Sequence, residues 1–244
     1  MNNLGKNFKT GVKDGLPIGL GYFSVSVAFG VQASLAGLPI LISVLISMTN
    51  LTSAGQLAGL QIIASAGTFI EIILTQLVIN SRYFLMSITL SQKTDESFTL
   101  PMRLFCSAGI TDEIFAVSSN KKGNVSSKYF LGLMLLPYVG WTLGTLTGAL
   151  AGNFLPAFIS SALGIALYAM FIAIIVPPST KSLGVLAVVV LSAGISCLFY
   201  YVPLLNKIST GIATIITALI SATIIAIVFP KKTEDDCSEV QNAD

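Results

Sequence analysis

Hydrophobic positions in this chain neither alternate nor fall in narrow helical stripes; they fill long blocks separated by short polar stretches. The blocks cover about 16–36, 39–65, 68–90, 104–119, 129–150, 155–176, 183–203 and 209–229. A bilayer crossing takes about 20 apolar residues, and only helices or closed barrels satisfy their backbone in lipid. Runs such as Ile172–Val176 and Ile224–Val228 lack the alternation of a barrel strand. The pattern therefore predicts an all-α polytopic integral membrane protein with about seven or eight transmembrane segments. The blocks 39–65 and 104–119 are interrupted or short, and each reads as a broken or re-entrant segment.

Charge sharpens this picture. Only 10% of the residues are charged, against about 25% in soluble domains. None falls between Asp14 and Glu71 or between Lys128 and Lys181. A soluble enzyme, a nucleic-acid binder and a secreted disulfide scaffold are excluded. With eight crossings, Lys6, Lys9, Lys13, Lys121, Lys122, Lys128, Lys181, Lys231 and Lys232 lie on the N-terminal side, and Lys93, Arg103 and Lys207 on the other. The positive-inside rule then puts both termini in the cytoplasm of a multi-pass cell-membrane protein. Residues 1–14 read as a basic cytoplasmic lead, 15–230 as one transmembrane domain and 231–244 as a disordered tail. The stretch ending Ser34-Leu35-Ala36 has signal-peptide features, but it is long enough to remain as an anchor.

There is no histidine, and Cys106, Cys197 and Cys237 form no CxxC pair. No metal site or cofactor is expected.

Polar residues inside the blocks carry the candidate chemistry. Thr49, Asn50, Thr52, Ser53, Gly55 and Gln56 interrupt the second block. A half-helix starting at Thr52 or Ser53 would point its free N–H groups and positive dipole end at a substrate carboxylate within the membrane. The same residues also suit plain helix packing. Gly140, Gly144, Gly148 and Gly152 recur every four residues, which lets another backbone approach closely. That backbone could belong to this chain or to a partner.

Four charges fall within spans: Glu71, Arg82, Asp112 and Glu113. Intramembrane charges are candidate functional groups. If the third span enters from inside near Gly67, Arg82 lies about 22 Å deep. If the fourth enters from outside near Leu104, Asp112 lies about 12 Å deep, so the two reach similar levels and can pair. Glu71 and Arg82, about 16 Å apart, cannot. Thr111 could equally cap a helix whose first turn holds Asp112 and Glu113. Glu71 could equally be interfacial. Asn80 lies almost opposite Arg82 on its helix.

Four short motifs resemble those of one family. They are Asp14-Gly15-Leu16-Pro17-Ile18-Gly19 with Ala28-Phe29-Gly30, Ser53-Ala54-Gly55-Gln56, Asn80-Ser81-Arg82-Tyr83, and Thr111-Asp112-Glu113 with Phe115-Ala116. In this order they resemble the AzlC-type large subunit of branched-chain amino acid exporters, over about residues 11–229. The chain departs from that pattern at Leu51-Thr52, and at Gly164-Ile165-Ala166-Leu167, where many members carry an Asp. The resemblance implies export of Leu, Ile, Val or related solutes, driven by an ion gradient, with a small hydrophobic AzlD-type partner subunit. The broken helix and the intramembrane charges assign substrate binding to Thr52, Ser53, Gly55, Gln56, Asn80 and Arg82, and proton coupling to Asp112, Glu113 or Glu71. A channel-like or structural subunit is the alternative; an intramembrane enzyme is weaker, because no Ser-His pair and no Gly-x-Ser-x-Gly elbow occur.

Overall fold

The computed structural model describes residues 2–152 and 175–229, together with Phe154, Phe158, Ala162, Ile165 and Ile172. Most of the expected 155–176 span, the departure at Gly164, Ala166 and Leu167, and the 231–244 tail lie outside these residues. The chain divides into two compact units, 1–170 and 171–244.

In the first unit α1 (Asn2–Leu35) is far longer than its hydrophobic block. The basic lead is continuous with it, since nothing before Pro17 interrupts the helix. It ends where Gly37 adopts a φ of 80°. Leu38 N–H then bonds the Ala33 carbonyl at 3.0 Å and Gly37 N–H that of Ser34 at 2.9 Å, the bonding pattern of a glycine stop signal.

Helix α7 (Ser127–Ala151) packs along α1. Gly11 faces Tyr129, Gly19 faces Leu136 and Gly140, and Ser34 faces Gly152, so the two helices run parallel. The expected glycine face at Gly140, Gly144, Gly148 and Gly152 meets α1 of the same chain, against the backbones of Gly19, Phe23 and Val27 and the side chain of Ser34. A second glycine series, Gly11, Gly15 and Gly19, answers it from α1. Close backbone approach is what small residues permit in lipid, where no hydrophobic effect drives helices together. Gly148→Val would drive a methyl group into the Val27 carbonyl and is expected to cost about 3 kcal/mol. Thermal melting in detergent, with Gly21→Val as control because its Cβ position is open, checks this; equal melting would contradict the seam.

Between these helices lie α2 (Ile40–Thr49), α3 (Ser53–Ala64), α4 (Phe69–Ser91), α5 (Leu100–Ser107) and α6 (Asp112–Asn120). Arms of 10, 12, 8 and 9 residues span only about 12–18 Å, too little to cross a core of about 30 Å. Their pairing shows that they turn back. The loop after α4 is tied to the loop before α7, with Val125 N–H on the Lys93 carbonyl at 2.8 Å and Asp95 N–H on the Val125 carbonyl at 3.0 Å. The C-terminal end of α4 thus lies beside the start of α7, and α4 runs antiparallel to α1. Both α5–α6 and its flanking loops begin and end there. The α2–α3 pair begins and ends at the opposite face, where α1 stops and α4 starts.

The blocks 39–65 and 104–119 fold back as hairpins, broken at Asn50–Thr52 and Ala108–Thr111 as expected for re-entrant segments, which changes the orientation drawn from eight crossings. Lys93 and Arg103, expected on the outer side, instead share a face with Lys9, Lys13, Lys121, Lys122 and Lys128. Glu71 moves to the opposite face. A buried cluster of Leu90, Phe98, Cys106, Ile114, Val125, Tyr129, Phe130, Leu133 and Met134 seats the α5–α6 hairpin.

The second unit contains α8 (Leu183–Tyr201) and α9 (Thr210–Val228), each 19 residues long and bilayer-length, capped by Ser182 and Ser209. They pack on one another as a hairpin, with Gly184 against Phe229.

Candidate functional site

Two half-helix N-termini meet α4 near the middle of the first unit. Helix α3 begins at Ser53 with Thr52 as N-cap, as the polar interruption predicts. Thr52 does not cap it: its hydroxyl donates to Asn50 Oδ1 at 3.0 Å. Gln76 of α4 donates to the Gly55 carbonyl at 2.8 Å and accepts from Asn80 at 2.9 Å and Asn50 at 3.4 Å. A Cβ at Gly55 would strike Gln76 and Thr52, so the close approach requires glycine there. Helix α6 begins at Asp112, and here Thr111 does cap, accepting from Ile114 N–H at 3.4 Å.

The Arg82 guanidinium sits 2.7 Å from Asp112, at the depth where the two were expected to pair. It also donates to Tyr83 Oη at 3.3 Å and lies over that ring, 5.0 Å from its centroid. A place in the first turn of α6 and pairing with Arg82 are thus compatible for Asp112. Glu113 accepts from the Tyr22 hydroxyl of α1. Asn80 and Arg82 do face different ways, the first toward α3 and the second toward α6. Asn80 Oδ1 and Arg82 Nε are buried with no hydrogen-bond partner.

Gln56 is 2% exposed and its amide is fully engaged. It accepts from Trp141 Nε1 at 2.7 Å and donates to Ser47 Oγ at 2.8 Å, and Ser47 in turn bonds Thr145 at 2.7 Å. The Trp141 ring packs edge-on against Tyr22, centroids 5.2 Å apart. Trp141 and Tyr22 therefore join the α3 cluster to the α6 cluster. Glu71 joins neither; with Thr68 it forms a capping box at the start of α4.

The family model described as AzlC protein matches residues 17–155. The chain belongs to the AzlC family. That match takes in both hairpins and every residue of the two clusters. An uncharacterized membrane protein of Archaeoglobus fulgidus is 32% identical over 216 residues, covering 87% of this AzlC-family chain and 93% of the relative. Inner membrane protein YgaZ of Escherichia coli is 29% identical over 172 residues, 67% of this chain and 70% of that one. An uncharacterized membrane protein of Helicobacter pylori is 22% identical over 157 residues, 63% and 68% of the respective chains. No solved structure matches.

Tyr22, Gln76 and Trp141 were not among the residues singled out from sequence. Gln76 had a signal: it stands four residues before Asn80 in an apolar helix, the spacing of a side-chain pair. Trp141 is the single tryptophan, set between small residues of the glycine face. Tyr22 carries no local signal.

Proposed function

We propose that this AzlC-family membrane protein is a secondary transporter that exports neutral, branched-chain amino acids. In this reading it is the large subunit of a two-component exporter with a small hydrophobic AzlD-type partner, and an ion gradient, of protons in the simplest case, drives it. The observation that carries the reading is the juxtaposition of two half-helix N-termini at mid-depth on one helix. One of them is uncapped by its threonine, and the other holds an ion pair. Discontinuous helices of this kind are how many transporters hold a substrate carboxylate.

The substrate carboxylate meets the α3 N-terminus at Thr52, Ser53 and Gly55, and its ammonium meets Asn80 Oδ1, which lacks a partner in the structure. Gln56 holds the tip in place. Arg82, Asp112 and Glu113 form the coupling set. Arg82 keeps the Asp112 carboxylate charged; when movement parts them in a low-dielectric site, the acid takes up a proton. Glu71 is left to its capping role. The positive-inside rule supports a cytoplasmic location for the face of the first unit rich in Lys and Arg, and for the N-terminus with it.

Competition against radiolabelled leucine in proteoliposomes tests the substrate site. Leucinamide, without the carboxylate, is expected to compete at least about tenfold more weakly, the worth of a charge-assisted hydrogen bond. Equal competition would refute the placement, and flux that does not saturate would favour a channel.

A further inference from the structure

A cavity of about 390 Å³ opens at the basic face, lined by Asp14, Ala116, Val117, Asn120, Lys121 and Tyr129. It lies apart from the two clusters, and none of these residues has a role in the mechanism above. Asp14, on α1, accepts a hydrogen bond from Tyr129 Oη at 2.8 Å through Oδ2. The Lys121 ammonium stands over the same tyrosine ring, 4.4 Å from its centroid. The acid and the cation therefore share one aromatic platform without closing on each other, and among the described residues neither forms an ion pair. Ala116 and Val117 add an apolar wall. Asn120 turns its amide nitrogen back to the Ala116 carbonyl at 2.8 Å.

The cavity also has a direction. Asp14, Ile18 and Tyr22 follow one another at four-residue steps on α1, so they share a face. Helix α6 runs the other way beside it, from Glu113 to Asn120. Tyr22 and Glu113, joined by a hydrogen bond, lie further along these two facing helices, toward the centre of the first unit.

We propose that this cavity is a loading site for a free zwitterionic amino acid at the basic face, ahead of the central site. Asp14 takes the ammonium, Lys121 the carboxylate, and the Ala116–Val117 wall the aliphatic side chain. A fixed acid and a fixed cation that do not neutralise each other are complementary to a zwitterion; they disfavour a simple amine or a simple acid, each of which meets a like charge. The inference rests on the transport reading and adds a second site to it.

The test measures leucine flux from each face of oriented proteoliposomes holding the full chain with its partner. Lys121→Gln, which keeps a polar side chain beside Tyr129 but removes the charge, is expected to raise KM from the basic face about tenfold, leaving kcat and the KM from the opposite face unchanged. It should also lower the preference for leucine over leucinamide at the basic face only, to the level set by the central site. Asp14→Asn, which keeps a hydrogen bond from Tyr129, should do the same against an analogue without the amine. Lys122→Gln, exposed on the same loop, is the control. A wild type active from both faces, with Lys121→Gln and Asp14→Asn unchanged or altered equally from both, would overturn the loading site alone. A wild type that carries no amino acid from either face would overturn the transport reading and this site with it.

Discussion

Arg82→Gln is expected to reduce gradient-driven leucine flux to about 1% of wild type or less, the loss that follows when one partner of an enclosed charge pair is left alone. Breaking a fully buried pair costs about 3–5 kcal/mol. Because Arg82 is 39% and Asp112 33% exposed, the stability loss should be smaller, about 1–3 kcal/mol. The functional loss should not shrink in proportion, because no cation remains for Asp112 to pair with and part from during the cycle. Asp112→Asn should behave differently: exchange of labelled for unlabelled leucine persists, but the response to an imposed pH gradient disappears. The combined Arg82→Gln, Asp112→Asn variant should recover the stability lost in Arg82→Gln, because no lone charge remains, without recovering coupling. Flux under a pH gradient, set against counterflow with none, separates these outcomes. Full gradient-driven flux in Asp112→Asn with Glu113→Gln would move the coupling group to another part of the complex.

Gln56→Leu is expected to lower stability by about 2–4 kcal/mol and flux by at least about tenfold. Leucine has nearly the same volume, so packing is not the issue. The substitution strands the Trp141 N–H and releases the Ser47 hydroxyl in a buried site, and an unsatisfied donor away from water is expensive. The α3 tip then loses the contacts that hold it at depth. Trp141→Phe removes the donor instead. If the two residues act through one bond, the double variant should melt close to Gln56→Leu alone, not at the sum of the two losses. Thermal melting of all four proteins in the same detergent gives the coupling directly; simple additivity would mean that the bond contributes nothing.

The membrane class, the break at Thr52–Ser53 and the Arg82–Asp112 pair are all legible in the sequence, yet the route to the pair runs through a topology that the structure reverses. Reading both hairpins as crossings inverts α4 and also the entry side of α5–α6. Relative depth survives when both directions are reversed together, so the ion pair is still found. The two reversals also cancel before α7, which keeps Lys121, Lys122 and Lys128 on the correct face while Lys93 and Arg103 are misplaced. Arm length is the physical signal for the hairpins: Ile40–Thr49 and Leu100–Ser107 are each too short to cross. The Gly11, Gly15, Gly19 series has the same spacing as the α7 glycines, but its neighbours Lys9 and Lys13 make that stretch read as a solvated lead. Tyr22 and Trp141 were hidden for another reason. Their partners are 91 and 85 residues away, and no local periodicity encodes a contact at that range.

The same separation bears on how the protein is made. The polar tip of the α2–α3 hairpin is satisfied in part by Thr145 and Trp141, residues that leave the ribosome only after about a third of the chain has followed the hairpin. Until α7 has been synthesised, the Gln56 carbonyl would lack the Trp141 N–H and Ser47 would lack Thr145, and in hydrocarbon each unsatisfied group costs several kcal/mol. The hairpin is therefore expected to settle at depth only once α7 is in place to receive it.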